Sequence, residues 1–198
     1  MILEGLMTTE NEDGTPNVSP MGPRVDADWQ TFVLRPFRTS TTYRNVKRTG
    51  RGIFHVTDDV EMLARGAIGR LQPLPPVERH QSGGFLVTGA CRWYALETTR
   101  LDDESERTTI EMRVVDSGVL REFFGLNRAK HAVVEASILA TRLHLLDEAD
   151  VLQQFAALRP LVEKTAGPAE TRAFAMLDEF VRAEYAARTK GDVGKESA

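Results

Sequence analysis

Hydrophobic and polar positions recur with a period near two over the first 115 residues and near 3.6 afterwards. ILEGLMTT (2–9) has strand length, and NEDG (11–14) supplies a turn into TPNVSPMG (15–22), where Pro16 and Pro20 argue for an edge or irregular strand. TFVLRP (31–36) and GIFHVT (52–57) are the next two strands. FLVTGACRWYALE (85–97) reads as one long strand bent at Gly89. RTTIEMRVV (107–115) alternates, with Thr109, Glu111 and Arg113 on one face and Ile110, Met112 and Val114 on the other. Between these strands, the stretch from Thr41 predicts a short helix stopped by Gly50, and DDVEMLARGAI (58–68) predicts another. Proline and glycine content alone makes 71–84 a loop.

Beyond Val115 the apolar stripe of a helix runs through Ala129, Ala132, Val133, Ala136, Leu139, Ala140 and Leu143, in a segment predicted over 127–146. A further helix follows from Ala149, with Pro160 expected to kink or split it and Gly167 to end it. Pro168 opens a last helix, whose stripe is Ala173, Leu177, Phe180 and Val181. The pattern predicts an α+β protein with an antiparallel β half followed by a helical hairpin or small bundle.

Composition narrows the function classes. The 198 residues are 41% hydrophobic and 27% charged, enough for a buried core, and the net charge of −4 carries no basic excess for nucleic acid. No apolar run approaches the roughly 20 residues of a membrane span, and MILEGLMTTENEDG lacks the features of a signal peptide. The single cysteine, Cys91, excludes an intrachain disulfide and lies in an apolar run, as a buried small hydrophobe would. A cytoplasmic protein is expected from these features. His131 and Glu135 stand four apart, but a metal needs three or four ligands, and the other histidines (His55, His80, His144) are scattered. Arg128, His131, Glu135 and Arg142 share one side of the 127–146 helix, either as a solvated face or as the lining of a cleft. Asp102, Asp103, Glu104 and Glu106 form an exposed hairpin tip.

RPFRTSTTYRNVKRTG (35–50) carries the strongest chemical signal. Four hydroxyl residues, Thr39, Ser40, Thr41 and Thr42, stand in a row between Arg35 and Arg38 on one side and Arg44 and Arg48 on the other. Two readings fit: capping of a helix, or an anion site in which helix N–H groups, hydroxyls and an arginine converge on a phosphate. No nucleophile elbow, Walker loop or zincin motif is present.

Three stretches together resemble one superfamily. NEDGTPNVSPMGP (11–23) is similar to the first hairpin of the FMN-binding split barrel, and STTYRNVKRTGRGIFHVT (40–57) to its phosphate segment. FFGLNRAKHAVVEASILATRLHLL (123–146) resembles the C-terminal extension of a branch known as domain-of-unknown-function family 447. The resemblance implies a six-stranded antiparallel split barrel at 1–116, a helical subdomain at 117–190 and a disordered tail at 191–198. It also implies FMN as cofactor, a homodimer holding it at the subunit interface, and a flavin-dependent oxidoreductase acting on a small molecule. The alternative is a carrier, sensor or assembly factor without turnover; another cofactor of the fold would have only His55 and His131 as axial ligands. By resemblance, Ser40, Thr41 and Thr42 hold the phosphate with Thr39, Arg35 or Arg38 beside them, and Asn45 matches the family's helix asparagine. Pro20, Met21 and Gly22 match the strand under the flavin ring, with Gly22 allowing close approach. Ser40 stands where these proteins often carry lysine, so the positive charge falls to an arginine. The apolar stripe of the 127–146 helix is expected to dock on the barrel.

Overall fold

A computed structural model describes residues 1–193, with side chains described to residue 188. The chain divides into two compact units, one made of Met1–Asp58 with Gln72–Phe124, the other of Asp59–Leu71 with the chain from Gly125 onward.

The first unit is a curled antiparallel sheet of seven strands in the order β2-β1-β5-β8-β9-β4-β3. Its strands are β1 (Gly5–Glu10), β2 (Pro16–Met21), β3 (Arg24–Val25), β4 (Thr31–Leu34), β5 (Arg51–Val56), β8 (Arg92–Asp102) and β9 (Thr109–Val119). A separate hairpin, β6 (Val77–Arg79) and β7 (Phe85–Val87), makes a second, two-stranded sheet. Met7, Phe32, Leu34, Phe54, Leu96, Ile110 and Met112 fill the concave side, and Tyr43 and Val46 of α1 (Thr41–Thr49) join the same cluster. The chain before β1 reaches across to β3, through an Ile2–Arg24 bridge and a Val25 N–H to Met1 carbonyl bond, and so narrows the gap in the barrel.

The antiparallel half-barrel and the helices that follow it agree with the sequence expectation; the strand count differs. β3, of two residues, is too short to show a period. The strand expected at 85–97 is two strands in two sheets, because the chain turns at Thr88 and Gly89 and re-enters as β8. The loop expected at 71–84 contains β6, whose three residues are masked by the prolines before it. The hairpin is held by apolar burial of Phe85 and Val87 and by polar ties: Arg79 pairs with Glu10 at 2.8 Å and stacks on Phe85, and the Thr8 hydroxyl donates to the Phe85 carbonyl at 2.6 Å.

The second unit contains α2 (Val60–Ala67), α3 (Arg128–Ala140), a short 3-10 turn (Leu143–Leu145), α4 (Glu148–Thr165) and α5 (Pro168–Val193). Although α2 lies between two strands in sequence, it packs with α3 and α5. The buried side of α3, Ala129, Ala132, Val133, Ala136 and Ala140, is covered within its own unit by α2, α4 and α5. Small side chains on that stripe let four helices approach one another closely. Lys130 and Glu170 pair at 2.9 Å among them, and Glu170 also accepts from the Gly167 N–H as the first turn of α5 requires. Pro160 does not split α4: it is exposed, and so is Ala156, whose carbonyl loses its helical partner to the proline and is left to water. The tail expected at 191–198 begins inside α5, and residues 194–198 lie outside the described residues.

One buried polar group ties the β6–β7 hairpin to the barrel. His55 on β5 is fully buried, and its Nε2 accepts the Val87 N–H at 3.1 Å, so Nδ1 carries the proton and has no hydrogen-bond partner. Burial pulls its pKa down from 6.5 to about 4, only partly opposed by backbone groups of Leu6 and Ile53. The unfolded chain therefore binds a proton that the folded chain refuses. The stabilisation from keeping His55 neutral is complete above about pH 6.5 and falls away as pH drops toward 4, by about 3 kcal/mol over the full window at 1.36 kcal/mol per pKa unit. Urea unfolding at steps between pH 7 and 4 should show this decline, and His55→Gln, which keeps an acceptor but cannot titrate, should flatten it. Equal slopes in the two proteins would remove His55 as the cause.

Candidate functional site

The first turn of α1 leaves N–H groups without helical partners, and its surroundings decide what they meet. Ser40 is the N-cap: its Oγ accepts the Tyr43 N–H at 3.2 Å, which leaves its own hydroxyl proton free to donate. The N–H groups of Thr41 and Thr42 have no acceptor among the described residues, and no carboxylate stands in the first turn. Arg44, one turn on, folds back so that its guanidinium donates to the Thr39 carbonyl and to Thr41 Oγ1, each at 3.2 Å. Backbone donors, two hydroxyls and a guanidinium thus share one end of the helix. The capping reading holds at Ser40, and the Thr41 and Thr42 N–H groups keep no acceptor among the described residues.

A cluster of polar side chains fixes this helix end to the sheet. Asn45, buried, donates to Thr9 Oγ1 at 3.0 Å and to Asn11 Oδ1 at 2.9 Å. Asn17 donates to the same Thr9 oxygen at 3.0 Å and to Thr42 Oγ1 at 3.2 Å. Thr42 and Asn45 are therefore turned inward, 2% and 4% exposed, and act as ties between α1 and strands β1 and β2. This redirects two of the expected contacts: helical geometry puts positions 42 and 45 one turn apart on the sheet-facing side, and positions 41 and 44 on the outer one.

The remaining expected residues are placed differently again. Arg35, Arg38 and Thr39 are exposed and lead into the helix. Arg107 of the β8–β9 connection donates to the Arg35 carbonyl and stacks on Phe37, and Arg38 N–H donates to the Glu106 carbonyl, so that hairpin steadies the segment. Asp103, at its tip, is engaged by Lys47 at 2.6 Å and Tyr43 at 2.5 Å, which holds its carboxyl below the usual range. On β2, Met21 packs its side chain against the barrel core, and Pro20 alternates to the opposite face. At Gly22 a β-carbon would lie 2.9 Å from a carboxylate oxygen at the end of the flexible Glu4 side chain.

β2 is an edge strand bonded only to β1. Proline is tolerated where no ladder N–H is needed, so Pro16 and Pro20 mark the positions facing away from β1, and Val18 between them presents its N–H outward. The strand offers backbone, not side chains, at its open edge. Arg44, which sequence reasoning passed over as a flanking charge, had its signal in the spacing Thr41–Arg44, three apart on one helix face.

The other candidates separate. His131 and Glu135 are exposed, and no group of three potential metal ligands occurs among the described residues. His55 already uses its accepting nitrogen inside the fold, so it cannot serve as an axial ligand without surrendering that bond. Arg128 and Glu135 are exposed on α3, whereas Arg142 lies beyond it, because the helix expected to 146 ends at Ala140 and Arg142 leads into the 3-10 turn; none of the three forms an ion pair among the described residues. No described helix is long and apolar enough to cross a membrane.

The curled antiparallel sheet with a capping helix and C-terminal helices is the FMN-binding split-barrel fold. The chain belongs to the DUF447 family: residues 3–121 match the protein of unknown function (DUF447) N-terminal domain, and residues 127–179 match the C-terminal DUF447 domain. The FMN-bound DUF447 protein MM1853 from Methanosarcina mazei is similar over 90% of this chain and 94% of its own, at 24% identity and a TM-score of 0.76. An FMN-binding protein from Thermus thermophilus with bound p-hydroxybenzaldehyde matches 59% of this chain and 71% of its own, at 17% identity and TM-score 0.52. The styrene monooxygenase flavin reductase of Pseudomonas putida S12 matches 61% of this chain and 82% of its own, at 16% identity and TM-score 0.50. No curated protein matches the sequence.

The inward placement of Asn45 has a measurable consequence. Asn45→Ala removes the Asn45 donor from Asn11 Oδ1 and one of the two donors from Thr9 Oγ1, and should lower unfolding stability by about 2 kcal/mol in urea denaturation. An unchanged midpoint would show that the amide ties contribute nothing to fixing α1.

Proposed function

We propose that this protein binds FMN, with the terminal phosphate at the first turn of α1 and the isoalloxazine ring along the open edge of β2, and that it is a flavin-dependent oxidoreductase acting on a small molecule. The observation that carries the reading is the donor set at that turn. The free N–H groups of Thr41 and Thr42, the Ser40 and Thr41 hydroxyls and the Arg44 guanidinium gather at a first turn that carries no carboxylate of its own. A phosphate dianion fits such a set, because each donor is charge-assisted and the helix dipole adds to them. Arg38 and Thr39, exposed just before the helix, extend the set. When bound, the flavin itself supplies the redox chemistry, accepting and returning an electron pair.

The chain's own residues bind and orient. The Asn17, Thr42, Asn45 and Thr9 ties hold α1 at a set distance from β2, and the outward N–H of Val18 is a donor for a ring carbonyl. An edge strand covers only one side of a flat ring, which supports the reading of a homodimer with a second copy closing the other side. The solved structures described above support the flavin and leave the small molecule open.

Arg44→Met combined with Thr41→Val should weaken FMN binding about 10- to 100-fold, the range for losing a hydrogen bond to a charged acceptor, while riboflavin, which lacks the phosphate, binds both proteins alike. Flavin fluorescence titration reads both. Equal loss for riboflavin would place the ring, not the phosphate, at this turn; no loss for either would move the site elsewhere. Anaerobic bleaching of the bound flavin by NADH or NADPH then separates a reductase from a carrier.

A further inference from the structure

The convex face of the main sheet carries a cavity of about 300 Å³ that shares no residue with the α1 turn. Strand register builds it. Ile53 on β5 pairs with Ala95 on β8, and Ala95 with Asp116 on β9, so these three residues form one row across the sheet. The neighbouring row is Arg51, Glu97 and Arg113. Between the rows β9 is irregular: Ala95 faces Asp116 and Leu96 faces Val114, which leaves Val115 as the extra residue of a bulge. A bulge breaks the alternation of side chains along a strand. Asp116 is thereby turned away from the core side, where Met112 and Val114 pack, and lines the cavity together with Val115. The end of the β6–β7 hairpin closes one side. A β-carbon at Gly84 would lie 2.7 Å from the Ile53 side chain, so hairpin backbone and cavity floor meet there.

The cavity is apolar in the middle and oppositely charged on its two sides. Ile53, Ala95 and Val115 make the floor. On one side the row of Arg51, Glu97 and Arg113 holds two guanidiniums and one carboxylate. Arg113 engages Glu97 at 3.0 Å, whereas Arg51 approaches it only through Nε at 3.6 Å, which leaves the Nη donors of Arg51 for another acceptor. On the other side Asp116 accepts the Ser117 N–H through Oδ1 at 2.8 Å and forms no ion pair among the described residues, so its second oxygen is open. The two rows lie about 6.8 Å apart along the strands, two residues of antiparallel rise. A plain cation would be repelled by the arginines and a plain anion by Asp116, but a dipolar molecule satisfies both sides.

We propose that this cavity binds a small zwitterion of the ω-amino-acid type, with its carboxylate at Arg51, its ammonium at Asp116 and its methylene chain over Ile53, Ala95 and Val115. Both polar contacts are charge-assisted, and the volume is that of a small-ligand pocket. The proposal concerns binding alone and is independent of the flavin site.

Isothermal titration calorimetry of the full chain with ε-aminocaproate, hexylamine, hexanoate and leucine tests it. Leucine is an isomer of ε-aminocaproate in which the two charges are adjacent. ε-Aminocaproate should saturate one site per chain, with the other three each about tenfold weaker or more, since each lacks one charged contact or the spacing for both. Asp116→Asn should weaken ε-aminocaproate about tenfold without weakening hexanoate, and Arg51→Met should do the same without weakening hexylamine. Urea midpoints matching the wild type show that the variants fold; should either fail to, the wild-type ranking of the four probes decides alone. No saturation by ε-aminocaproate at millimolar concentration overturns the proposal. So does binding of hexylamine, hexanoate or leucine as tight as that of ε-aminocaproate, or an unchanged affinity in both folded variants.

Discussion

The site depends on how one helix end is held. A helix of nine residues cannot satisfy its own first N–H groups, and whether they meet solvent, protein or ligand is decided by what fixes the helix to its neighbours. Here the fixing is polar: Thr9 accepts from both Asn17 and Asn45, and Asn17 also reaches Thr42, so α1, β1 and β2 share one small network. Asn17 and Asn45 both donate to Thr9, so each backs the other in anchoring the helix end to the sheet, and the donors of the α1 turn are placed by that anchoring.

The second constraint is the edge. β2 is the last strand of its sheet, and two prolines remove the outward donors that would otherwise invite another strand. What remains on β2 is the outward N–H of Val18, too sparse to invite strand pairing. The β8–β9 connection works on the same principle from the other direction. By bonding Arg35 and Arg38 through backbone contacts and clamping Phe37 under Arg107, it holds a basic segment in place without using up its charges. A flavoprotein of this kind needs no catalytic motif, since binding and orientation are all that the chain must contribute.

The sequence by itself determined the change of period at about Val115, the helix stopped by Gly50 in a left-handed turn at φ 69°, and the hydroxyl run between arginines. These are local properties, set by residues within one or two turns of each other, and so they survive reading along the chain. The resemblance to the split barrel, and with it the flavin, rested on the order of such segments. Only the tertiary structure decided which hydroxyls face out. Thr41 and Thr42 are chemically the same, and one is spent in the interior because Asn17, 25 residues away, meets it there. It likewise decided that the stripe of α3 is covered by α2, α4 and α5 and that β6 and β7 leave the main sheet. It turned Arg44 back over its own helix end. In each case the deciding partner lies in another element, and side-chain direction and burial depend on that partner's position, which no local pattern carries.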